Sequence, residues 1–171
     1  MKTSYLSYRY IHIIFICCIA LLCAFIYSNT LHTPFVFDDL NNIQENTFLR
    51  LSALDLNSIY QAASEGPSST RPISKLSFAL NYYFGGYDVY GYHLFNIIIH
   101  FINSALVYFI SFLTLKQLER IKPPIDKNKP DVSPLIAIIT ALIFLSHPLQ
   151  TQSVTYIVQR MNSWPAPDLP P

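Results

Sequence analysis

The stretch YIHIIFICCIALLCAFIYS, residues 10–28, runs 19 positions without a formal charge. About 20 apolar residues in helical form cross the hydrocarbon core of a bilayer, so this stretch reads as a membrane span and sets the class of the chain. Ahead of it, residues 1–9 carry Lys2 and Arg9 and no acid. The run is long for the apolar core of a cleaved signal peptide and lacks a small-x-small cleavage site, which predicts an uncleaved signal anchor. Leu22 stands where a lipoprotein signal before Cys23 needs a small residue. Cys17, Cys18 and Cys23 all fall inside the run and read as lipid-buried thiols, without a disulfide, zinc or redox pattern.

The rest of the chain repeats the message. Of 171 residues, 51% are hydrophobic and only 12% charged, and the apolar ones are segregated into long uncharged blocks. A net charge of +1 offers no basic patch for nucleic acid. Residues 92–115 form a second uncharged run, and residues 116–131 then carry Lys116, Arg120, Lys122, Lys127 and Lys129 against Glu119, Asp126 and Asp131. Pro123, Pro124 and Pro130 break any long helix there. The excess of Lys and Arg places this loop, like residues 1–9, in the cytoplasm. Residues 29–91, with six acids and three bases, fall on the opposite side. Residues 132–158 make a third span, kinked near Pro148, and residues 159–171 emerge outside, ending in the non-helical tail WPAPDLPP.

Two short helices are predicted in the external loop. Ser52-Ala53-Leu54-Asp55 resembles a capping box ahead of an apolar stripe through Ile59, Tyr60 and Ala63. The second opens at Arg71-Pro72, since Pro suits the first turn, and stops at Gly85-Gly86. Both read as amphipathic helices lying on the membrane, with Tyr82, Tyr83, Phe84, Tyr87, Tyr90 and Tyr92 as an interfacial aromatic belt. Further on, His93, Asn96, His100 and Asn103 share one helical face. That face reads as interhelical hydrogen-bonding glue; a proton relay or metal site through the histidines lacks a nearby acid. Two other helices, one of them short and kinked, are not expected to cover it. The fold class is therefore all-α integral membrane, with about three transmembrane helices plus short amphipathic interfacial helices.

The chemistry concentrates in PFVFDDLNNI, residues 34–43, just outside the first span. A carboxylate costs about 2.5–3.5 kcal/mol at a bilayer centre, so Asp38 and Asp39 belong at or beyond the interface. Locally this is a turn with solvated Asp and Asn side chains. Functionally, a carboxylate pair in a wet cleft against the bilayer suits base chemistry or a metal.

Four segments occur together in order: FVFDD at 35–39, RPISKLSFALNYYFGG at 71–86, GYHLFNIIIHFIN at 91–103, and ALIFLSHPLQTQSVTYIVQRMNS at 141–163. Together they resemble the N-terminal part of the transmembrane and TPR-repeat O-mannosyltransferases and their bacterial relatives. These are polytopic GT-C glycosyltransferases related to the protein O-mannosyltransferases. The resemblance implies an inverting enzyme that moves a mannose-type sugar from a polyprenyl- or dolichyl-phosphate carrier to an acceptor hydroxyl on protein or glycan. It implies no cofactor, and the adjacent acids lack the spacing of many nucleotide-sugar metal sites. Asp38 and Asp39 match the acidic motif that supplies the general base, with Asp38 favoured. The leaving lipid phosphate needs cationic contacts, for which Arg71 and Arg160, with His147 as a neutral donor, are the candidates; the competing readings are a loop cap for Arg71 and an interfacial anchor for Arg160. The setting implied is the bacterial inner membrane or the endoplasmic reticulum, with the acidic loop periplasmic or lumenal. The family continues with many more spans and TPR repeats, so the expectation is a fragment that does not turn over alone. The competing reading is a non-catalytic membrane anchor or assembly subunit that retains the loop as a binding surface.

Overall fold

The computed structural model describes residues 2–67, 70–122 and 130–163, with side chains from Tyr10 onward. The tail at 164–171 and the loop residues Pro123, Pro124, Asp126, Lys127 and Lys129 lie outside the described residues. The described chain is helical without strands: α1 Lys2–Tyr27, α2 Leu56–Ser64, α3 Pro72–Gly85, α4 Val89–Ile121, α5 Ser133–Ser146, α6 Pro148–Thr155 and α7 Arg160–Ser163. Tyr10–Thr30 and Val89–Ile121 are each long and apolar enough to cross a bilayer. α5 and α6, bent by 57° across their break, make a third span if counted as one. This is an all-α membrane protein.

Helix limits follow local chemistry. Asp55, and not Ser52, caps α2: its carboxylate accepts from Ser58 N at 3.0 Å and from Ser58 Oγ at 2.7 Å. The acid three positions on from Ser52 is itself the cap. α3 starts at Pro72 and closes at Gly86, whose N–H reaches Tyr82 O at 2.7 Å with φ +59° and ψ −128°, a backbone that side chains rarely adopt. α4 runs beyond the expected 92–115 at both ends; at its C-terminal end Lys116, Gln117, Glu119 and Arg120 are good helix formers that carry it past the apolar run. His147 sits at φ −67°, ψ 131° before Pro148, the extended form that a following proline imposes, and this makes the bend.

The chain divides into two compact units: Met1–Ile26 with Ile98–Gln150, and Tyr27–Ile97 with Thr151–Pro171. In the first, Phe15, Ile19, Cys23 and Tyr108 are buried with Ala137, Ala141 and Leu145 of α5. His12 Nδ1 meets Tyr108 Oη at 2.6 Å, and His100 Nε2 donates to Leu145 O at 3.0 Å. At the far end of α4, Lys116 bonds to Glu119 at 2.8 Å and to Asp131, while Ser133 Oγ donates to Glu119 at 2.7 Å. These contacts close the turn into α5 from both sides.

The second unit packs Ile43, Leu49, Ala62, Phe78, Tyr92 and Ile157 into one core. Three of the four residues on the polar face of α4, His93, Asn96 and His100, are buried, and Asn103 is half-buried. His93 and Asn96 are 1% and 3% exposed; His93 Nε2 donates to Thr33 O at 2.9 Å, and Asn96 Nδ2 to Val154 O at 3.2 Å. The expectation that this face lacks neighbours fails because its partners are backbone carbonyls of non-helical segments and short helix ends, which hydropathy does not count as helices. Such carbonyls need donors as much as the side chains need acceptors.

Candidate functional site

The acidic loop is folded tightly on itself. Asp39 N donates to Val36 O at 3.0 Å and Leu40 N to Phe37 O at 3.1 Å, two overlapping tight turns that run into one π-helical turn, Leu40–Gln44. Phe37 stands at φ +47° with its ring 83% exposed. A left-handed backbone at a bulky residue costs of order 1–3 kcal/mol, and this exposed ring does not pack to offset it. The strain persists because the surroundings hold the turn on both sides.

What holds it is a segment far away in sequence. Asp39 is 1% exposed: Oδ2 accepts from Val36 N at 3.0 Å and Oδ1 from Val158 N at 2.7 Å. Asp38 is exposed, and its N–H donates to Tyr156 Oη at 2.8 Å while its C=O accepts from Asn42 Nδ2 at 2.9 Å. The two acids therefore differ in kind. Asp39 closes the loop onto Val158, and Asp38 offers its carboxylate to solvent. Neither the sequence nor the motif distinguishes them this way.

Burial pushes the Asp39 carboxyl above its ordinary 3.8; the N–H bonds from Val36 and Val158 pull it back, and the charge of Asp38 raises it again. A carboxyl with a raised folded pKa contributes stability that is fully present below 3.8 and lost as pH climbs through the raised value. Unfolding midpoints should therefore fall over that window in the wild type and fall less in Asp39→Asn. Parallel pH curves for the two proteins would refute the assignment.

The two arginines expected to contact phosphate are both occupied by internal hydrogen bonds. Arg160 is 0% exposed, with Nε on Asn96 Oδ1 at 2.7 Å, Nη1 on Asn81 Oδ1 at 2.7 Å and Ser77 Oγ at 3.1 Å, and Nη2 on Tyr92 O at 2.8 Å. The rings of Phe78 and Phe95 lie 4.4 and 4.6 Å from its guanidinium carbon. Burial lowers its pKa to about 9, still charged at neutral pH. This guanidinium serves the interior, joining α3, the start of α4 and α7. Arg71 Nη1 donates to Met161 O and, at 2.6 Å, to Asn162 Oδ1, so it ties α3 to α7. Lys75 is 0% exposed and bonded to Glu65 O. His147 is exposed in the other unit; its Nδ1 accepts from Leu149 N at 3.2 Å, which leaves Nε2 as the protonated edge of the neutral ring.

Sequence reasoning passed over Arg50 and Tyr156. Arg50 is exposed, with Nε on Tyr87 Oη at 2.9 Å and Nη2 on Gln44 O at 3.1 Å, and Tyr87 Oη also donates to Gln44 O at 2.8 Å. Its signal was present: among the three bases of residues 29–91 it is the one outside a predicted helix. Among the described residues, no group of three or more His, Cys, Asp or Glu side chains is placed to hold a metal ion.

An exposed acid beside a buried, clamped one gains meaning from the proteins this chain is similar to. The chain is 29% identical over 155 residues to protein O-mannosyl-transferase Tmtc3 of Drosophila melanogaster, a match covering 84% of this chain and 17% of that protein. It is 33% identical over 145 residues to protein O-mannosyl-transferase tmtc2 of Xenopus laevis, covering 80% of this chain and 15% of the relative. Protein O-mannosyl-transferase TMTC3 of Homo sapiens is 31% identical over 142 residues, or 78% of this chain and 14% of the relative. The chain is a relative of the protein O-mannosyl-transferases. It spans less than a fifth of the length of these three. No family model matches the chain, and no solved structure matches it. Within the region of similarity, the feature that stands out in the structure is the contrast in the acid pair, one exposed and one buried.

Proposed function

We propose that the chain forms the amino-terminal portion of a membrane glycosyltransferase, in which Asp38 is the general base for transfer of a mannose-type sugar to a hydroxyl. The acceptor oxygen attacks the anomeric carbon, a new C–O bond forms with inversion, and the bond from that carbon to the carrier phosphate breaks. The hydroxyl proton goes to the Asp38 carboxylate, and the electron pair leaves on the polyprenyl or dolichyl phosphate. The observation that carries this reading is the exposure of Asp38 beside a buried Asp39 in a relative of O-mannosyl-transferases. A carboxylate in solvent reach can collect a proton and release it again; one bonded to two backbone N–H groups cannot do so without opening its loop.

For the leaving phosphate, exposure favours Arg50 over the half-buried Arg71 and the buried Arg160. In the proposed topology residues 1–9 and 116–131 face the cytoplasm and residues 29–91 face the lumen or periplasm. In a version lacking Cys17, Cys18 and Cys23, exposed Asn57→Cys and Lys122→Cys should react with an impermeant thiol reagent from opposite sides. Reaction of both from one side would sink this topology.

The function itself is tested by exchanging the chain for the matching segment of the Drosophila relative and supplying membranes with dolichyl-phosphate mannose and a Ser/Thr-rich protein. Labelled mannose should appear on the protein. Incorporation that is equal when the segment is deleted would overturn the assignment.

A further inference from the structure

We propose that Tyr156 positions Asp38, its phenol oxygen fixing the backbone from which the base is presented; the role rests on Asp38 being that base. Tyr156 sits at a corner between α6 and the 3₁₀ turn Ile157–Gln159, in extended conformation at φ −96° and ψ 114°. Both of its backbone groups are engaged: its N–H reaches Gln152 O at 3.1 Å and its C=O accepts from Gln159 N at 3.1 Å. The ring therefore projects from a rigid corner, half-buried, and its oxygen accepts from Asp38 N at 2.8 Å.

The same corner grips the second acid. Two residues beyond Tyr156, Val158 N donates to Asp39 Oδ1 at 2.7 Å. One short segment thus holds both halves of the acid pair from 118 and 119 residues away, by side chain at Asp38 and by main chain at Asp39. Next to these two grips lies Phe37 in its left-handed turn. A base held at its backbone keeps its carboxylate in one place while its exposed side chain exchanges protons, and placement of this kind is worth large factors in rate.

The test uses Tyr156→Phe, which keeps the ring and removes the acceptor oxygen. In the whole chain in nanodiscs, hydrogen exchange at the Asp38 amide should speed up about tenfold, with the Val158 amide unchanged. In the exchanged-segment transferase, Tyr156→Phe should lower kcat about tenfold at similar KM. Adding Tyr156→Phe to Asp38→Asn should cost nothing further, because the two act as one unit. Unchanged exchange at Asp38, or losses that multiply in the double variant, would overturn the positioning role. If Asp38→Asn alone keeps full transfer, the base assignment has failed. The exchange experiment still decides separately whether the hydroxyl holds the loop.

Discussion

Asp38→Asn is expected to lower sugar transfer by about 10²–10⁴-fold, the usual worth of a positioned general base, without a measurable change in folding. The substitution keeps size and shape and removes only the proton-accepting oxygen. The side chain is exposed, and the bonds that fold the loop at this position belong to its N–H and C=O, which Asn retains. Asp39→Asn should behave differently. An amide at that site turns an NH2 group toward one of two backbone N–H donors, the half-buried Val36 or the buried Val158, and leaves that donor without an acceptor. Such an orphan costs about 1–3 kcal/mol, so Asp39→Asn should lose stability and transfer together. Transfer assays paired with thermal unfolding separate the two acids. Asp38→Asn with transfer near wild type, or with a midpoint as low as that of Asp39→Asn, would reverse the two roles.

Arg160→Met is expected to be the most damaging substitution for folding. It strips the donor in one step from the buried Asn96 Oδ1, Ser77 Oγ and Tyr92 O and from the half-buried Asn81 Oδ1. With about 1–3 kcal/mol for each buried group left unsatisfied, a total loss above about 4 kcal/mol is expected. For a chain of this size that corresponds to a drop of roughly 10 °C or more in the unfolding midpoint. Arg160→Lys should recover little. A single ammonium cannot reach partners distributed around a planar fork, nor stack on Phe78 and Phe95 as a guanidinium does. Midpoints of the purified chain in detergent would decide it. An Arg160→Met protein melting within about 2–3 °C of the wild type would exclude the hub role, since a single kcal/mol already shifts a domain of this size by that much.

The membrane class and most of the helices follow from one-dimensional signals. A 19-residue run without charge at 10–28 has few other folded outcomes, and His147-Pro148 interrupts a helix wherever it occurs. The start of α3 at Pro72 and its stop at Gly86 are equally local, since ring closure and the missing Cβ act within a few residues. The ordered motifs also point to the O-mannosyltransferase family without the help of any tertiary contact.

The site was decided elsewhere. Asp38 and Asp39 are neighbours of the same residue type, so no local rule says which is buried; Val158 and Tyr156 decide it from 118 or more residues away. Arg160 follows a long apolar stretch and has the sequence look of an interfacial anchor, yet its charge lies inside, facing carbonyl and amide oxygens without a carboxylate. Propensity and hydropathy report what a residue favours against water or lipid. Which buried donor meets which buried acceptor depends on packing, and in this chain that packing separates the exposed Asp38 from Asp39, the acid that holds the loop.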